Sequence, residues 1–120
     1  MTNLTDLYVD SMTLNSIHLH EDIGANGAIS LREGVVTISK AGVNTTTIVN
    51  PVATTDDFKR LHIVSLTANA HTLAVTASSF GGGGGGEDLA TFANKAGSSI
   101  TLMAYQGLWY AIYGEGVAIT

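Results

Sequence analysis

Apolar and polar residues alternate along this chain in short runs. No segment repeats its apolar positions at the helical period over a useful length. Thr, Val, Ile and Gly are abundant, and turn residues recur every eight to twelve residues or so, the pattern of many short strands. The alternation predicts strands at residues 12–20, 28–33 and 34–40 (one strand or a bent pair), 45–50 ending at Pro51, 60–67, 72–77, 88–93, 100–105, 108–113 and 117–120. In the strand at 60–67, Leu61 and Ile63 point one way and Arg60 and His62 the other; Leu73 and Val75 are expected inward. "AYQGLWY" reads as a two-residue hairpin, with Gly107 free to take positive φ. The only helix signal is one turn in "TTDDFKRL", residues 54–61, with Thr or Asp as N-cap.

These elements imply an all-β fold, a small antiparallel β-sandwich or β-barrel with an extended N-terminal arm. Residues 1–28 have a weaker pattern and close on the glycines of "DIGANG". They are read as the arm and 29–120 as the β-domain, the alternative being that 1–28 is an ordinary first strand. As an arm, the segment would pair with strands of another subunit. Its apolar positions Leu4, Leu7, Tyr8, Val9, Met12, Leu14, Ile17 and Leu19 are the interface candidates.

Composition narrows the function. A chain of 120 residues suits one domain, and with no cysteine it has neither a disulfide framework nor thiol chemistry. Only 12% of residues are charged, against about 25% in average soluble chains. The net charge of −5 argues against a sequence-independent grip on nucleic acid, which needs a basic surface. Mean hydropathy is +0.27, yet no apolar run approaches the roughly 20 residues of a membrane span. "MTNLTDLYVD" has neither the basic nor the apolar region of a secretory signal. No nucleic-acid or membrane partner is expected. A weakly charged, mildly hydrophobic chain is expected to cover part of its surface in an assembly.

Six consecutive glycines, 81–86, raise the question of a phosphate loop. They are followed by Glu87 and Asp88, whose charges repel phosphate, and neither a Lys-Ser/Thr pair nor a helix follows. The run is read as a loop between strands. His18 and His20 share a strand face near Glu21 and Asp22, a weak metal signal outweighed by the commoner case of two exposed histidines. His62 and His71 are each read as half-buried strand or turn residues. Asp56 and Asp57, with His62, would be the carboxylates and base of a hydrolase, but adjacent acids rarely face one substrate, and turn capping is the simpler role. Trp109, Tyr105, Tyr110 and Tyr113 could stack on sugars. At period two, Trp109 and Tyr113 share one face and Tyr110 lies on the other, and core packing for one of the two faces is the simpler reading. No catalytic constellation emerges, and no cofactor or metal is implied.

"GVVTISKAGVNTTTIVNPVATTDDFKRLHIVSLTANAHTLAV" and "FGGGGGGEDLATFANKAGSSITLMAYQGLWYAI" resemble a β-rich protein family of tailed-bacteriophage virions. The shared pattern is a V-x-I-T-K-A-G strand, a Pro, a D-D-G-K-x-L-x-I segment, A-H-T-[LV], a glycine-rich stretch, A-T-F and L-x-[AL]-x-A-Y-x-G-x-W-Y. The resemblance covers roughly residues 34–120 and is most specific from Leu102 to Tyr110. One departure is Phe58, where the family pattern has Gly, so the turn there is expected to differ. The resemblance implies a capsid decoration (cement) protein, not an enzyme. Such a protein would bind the major capsid protein, self-associate as a small oligomer, a trimer, and reside on the virion surface after assembly in the host cytoplasm. The alternative expectation is a receptor-binding or fibre-associated module that recognises host surface glycans.

Overall fold

The computed structural model describes residues 19–75, Phe80 and 88–120. Ten strands make up these segments: β1 (His20–Ile23), β2 (Gly27–Ile29), β3 (Gly34–Ile38), β4 (Thr45–Ile48), β5 (Arg60–Ser65), β6 (Thr72–Val75), β7 (Leu89–Phe92), β8 (Ser99–Tyr105), β9 (Leu108–Glu115) and β10 (Val117–Ile119). They form two five-stranded sheets, ordered β1-β3-β5-β8-β9 and β10-β7-β6-β4-β2, packed face to face around one core. The all-β sandwich expected from the alternation is the observed fold. The single turn expected over 54–61 is a run of turns over 53–58, followed by β5.

The sheets are mixed rather than wholly antiparallel. From β1 to β6 the chain crosses from one sheet to the other after every strand. Each strand therefore returns beside the strand two before it and parallel to it: β1 with β3, β3 with β5, β2 with β4, β4 with β6. This half is three coils of a two-sided parallel solenoid. Antiparallel pairing begins at β7, which turns back on β6, and continues with β8 on β5, β9 on β8 and β10 on β7. The expected strands at 28–33 and 34–40 are β2 and β3, and they lie in opposite sheets. Residues from His20 to Ile29, most of which the sequence assigned to the arm, form β1 and β2, an edge of each sheet.

Alternation within each strand sends one set of side chains inward. Val36, Ile63 and Ile100 form one inner row across the first sheet, and Ile29, Ile48 and Val75 another across the second. Trp109 closes the core, buried, with its Nε1–H donating to the Val49 carbonyl at 2.8 Å. At the other end the lining turns polar. Buried His71 accepts the Asn44 N–H at Nδ1 (3.0 Å), so Nε2 carries the proton and donates to Thr67 Oγ1 (2.8 Å), which donates to the Lys40 carbonyl. The half-burial expected for His71 is thus exceeded.

Two local features set the surface. Opposite Thr101 and Leu102, β9 carries one extra residue, Ile112, since Thr101 faces Tyr113 and Leu102 faces Ala111. The bulge shifts the alternation by one, so Trp109 points inward while Tyr113 is exposed, and the face these two were expected to share does not exist. At the β8–β9 turn, Gln106 and Gly107 both have positive φ (49° and 81°), the type I′ geometry that suits a two-residue hairpin.

Candidate functional site: an exposed aromatic ridge

The connection from β4 to β5 is tied down by its two acids. Asp56 is buried, and its carboxylate meets Lys59 Nζ at 2.8 Å, Arg32 Nε at 2.9 Å and the Val52 N–H at 2.6 Å. The Lys59 bond, the Val52 amide and the Arg32 charge hold its pKa below the ordinary carboxylate value. Asp57 reaches the next hairpin, accepting from the Gln106 N–H at 2.7 Å and the Gln106 side chain at 2.6 Å, and also from the Thr54 N–H at 3.1 Å. Those bonds, the Gln106 amide foremost, lower its pKa too. The loop is fastened to the β2–β3 connection on one side and the β8–β9 turn on the other.

This fastening holds Phe58 in an unusual conformation. Its φ is 69°, in the left-handed region that favours glycine, and its N–H donates to the Ala104 carbonyl at 2.6 Å. The turn expected to differ where Phe replaces Gly keeps a glycine-type backbone and carries a large ring on it. Phe58 is 65% exposed. Its ring lies 5.5 Å from the ring of Tyr105, which lies 6.4 Å from Tyr110. Tyr105 is exposed and Tyr110 half-buried. The three form a tilted ridge that runs onto the outer face of the first sheet, where Arg60, Met103 and Tyr110 stand side by side across three strands. Val52 is exposed on the same connection. The ridge offers flat apolar area on a fixed backbone, suited to stacking against a proline, another aromatic ring or a sugar face.

The other sequence candidates fall elsewhere. Leu4, Leu7, Tyr8, Val9, Met12, Leu14, Ile17 and His18 lie outside the described residues. Leu19 is exposed just before β1, and its carbonyl accepts the Val35 N–H at 3.0 Å. His20 is on the outer face, bonded to Thr37 Oγ1 at 2.9 Å. Glu21 binds Ser30 and the Leu31 N–H, and Asp22 binds Thr37 and Ser39. These acids hold neighbouring segments. Among the described residues no three His, Asp or Glu side chains are grouped to hold a metal ion. His62 stands on the outer face with Thr101 Oγ1 at 3.0 Å, while Asp56 and Asp57 are engaged with the donors named above. The capping role expected for the two aspartates is the one they perform. Trp109, one of the candidate sugar platforms, is buried. The glycine run lies outside the described residues. Its flanks are Phe80, buried in the core, and β7, which pairs with β6, so it falls within the β6–β7 connection.

Sequence reasoning had Tyr105 and Tyr110 among the candidate sugar-stacking residues but missed Phe58, because Phe58 and Tyr105 are far apart in the chain. The one available signal was the Phe standing where the resembling pattern has Gly. No protein-family model and no curated protein matches the chain.

Proposed function

We propose that this protein is a capsid decoration (cement) protein of a tailed phage, bound to the outside of the major capsid shell and stabilising the head. Phe58 carries the reading. A large aromatic residue at positive φ costs about 1–2 kcal/mol, and with Phe58 mostly in water only its ring contact with Tyr105 offsets that strain. A ring displayed in this way suits contact with another molecule. The neighbouring carboxylates are saturated by fixed donors, which suits a rigid contact surface better than proton transfer. The resemblance over residues 34–120 supplies the setting: many copies on one shell, where modest contacts sum to a large stabilisation. Heads lacking the protein are expected to release their DNA at a lower temperature than complete heads, and added protein should restore the difference. Equal release temperatures would remove the cement role.

The same ridge favours a second reading, a fibre-associated module that binds host surface glycans, because sugars stack on exposed aromatic faces. A glycan array probed with wild type and Phe58→Ser separates the two. Binding lost in the variant supports the glycan reading, and an array with no signal supports the cement reading.

A further inference from the structure

Among the described residues the two sheets end in four edge strands, β1 and β9 in one and β2 and β10 in the other. Sheets guard such edges against stray pairing by keeping them short or charging them. β2 and β10 have three residues each. β1 has four, of which His20, Glu21 and Asp22 are polar or charged. β9 differs on both counts. It has eight residues, contains no proline or lysine, and carries a single charge, Glu115, at its very end. A bulge can turn an edge away from a neighbour, but the one here directs Ile112 outward beside Tyr113, and the two are 45% and 63% exposed. With Gly114, Val117 and Ile119 they line a groove of about 250 Å³ between β9 and β10, which reaches the core residue Ile100.

We infer that β9 is the self-association edge. Two copies pair β9 with β9, antiparallel across a two-fold axis, to form one continuous sheet. Charge placement selects this arrangement. Antiparallel self-pairing sends the two Glu115 carboxylates to opposite ends of the strand pair, about 24 Å apart at the rise of an extended strand, whereas parallel pairing would set them side by side. Ile112 and Tyr113 then face the groove of the second copy while its own pair faces the first, the same patch serving both sides of a two-fold contact. A three-fold ring would need β9 to meet a different edge, β1, β2 or β10, each of them short or charged. The edge therefore selects a dimer over the trimer expected from the sequence. The pairing is a property of the isolated chain and stands apart from the capsid reading.

Sedimentation velocity over a concentration series of the full chain tests this, with circular dichroism as the check on folding. Wild type is expected to sediment as a dimer. Ile112→Lys should weaken the association at least about tenfold, and Phe58→Ser should leave it unchanged. Because the chain has no cysteine, Ile112→Cys introduces a single thiol near the axis, and mild oxidation should link the copies in pairs. A monomer or trimer at every concentration, or an Ile112→Lys variant that dimerises like wild type, overturns the inference. If Ile112→Lys loses its β-sheet signal, Tyr113→Lys and the cysteine variant decide: undiminished association of the first, or failure of the second to link, overturns it equally.

Discussion

At the scale of single residues, Phe58 separates display from folding. Glycine would relieve about 1–2 kcal/mol of left-handed strain and lose about 0.5–1 kcal/mol to the greater freedom of the unfolded chain. The ring removed is mostly in water. Phe58→Gly is therefore expected to keep wild-type stability within about 1 kcal/mol, measured by urea unfolding; a loss of several kcal/mol would make Phe58 a structural residue. His71 gives a pH signature. Burial, with the Lys40 charge adding to it, lowers its pKa from the ordinary 6.5. In acid the unfolded chain takes up a proton at this site before the folded protein does. Stability should fall as pH drops below 6.5 and go on falling until the lowered folded value is passed. The aspartates at 22, 56 and 57, with pKa values lowered from 3.8, add a second loss only below that pH. Thermal melts from about pH 7 to about pH 5 should show the first decline in wild type and not in His71→Gln; a flat wild-type profile would contradict it. That one face of the strand around Trp109 packs in the core could be read from the chain, and the structure shows Trp109 on it. The outward side of Tyr113 could not be read, because a bulge leaves no mark on apolar alternation.

At the scale of elements, nine of the strands stood close to where alternation set them, but the pairing among β1 to β6 is parallel where antiparallel was expected, while β7 to β10 pair antiparallel. Parallel strands usually read as unbroken apolar runs because both faces are covered. Here β3, β4, β5 and β6 each cover one face only, so "GVVTI" and "TLAV" alternate much as antiparallel strands do. The distinguishing information lies in connections that carry the chain to the opposite sheet, and short connections look the same whether they make a hairpin or a coil. Gly34 is one place where a coil demands a particular residue. Its φ is 115°, and a Cβ there would lie 2.3 Å from the Leu19 carbonyl oxygen, where the chain enters β1. Gly34→Ala should cost more than about 1 kcal/mol of unfolding free energy. A smaller loss would mean that β1 can move off β3 freely.

At the scale of the whole molecule, a solenoid half and an antiparallel half share one core, and the surface outside it is sparsely charged. The composition raised the expectation of a protein that covers part of its surface in an assembly, but not which part, because both the ridge and the β9 edge depend on tertiary placement. The most direct test is to titrate purified protein onto phage heads that lack it and to measure the amount bound per head. Wild type should bind saturably, and Phe58→Gly, equally folded, should bind at least about tenfold more weakly. Wild type that fails to bind, or Phe58→Gly that binds as wild type does, would contradict the account.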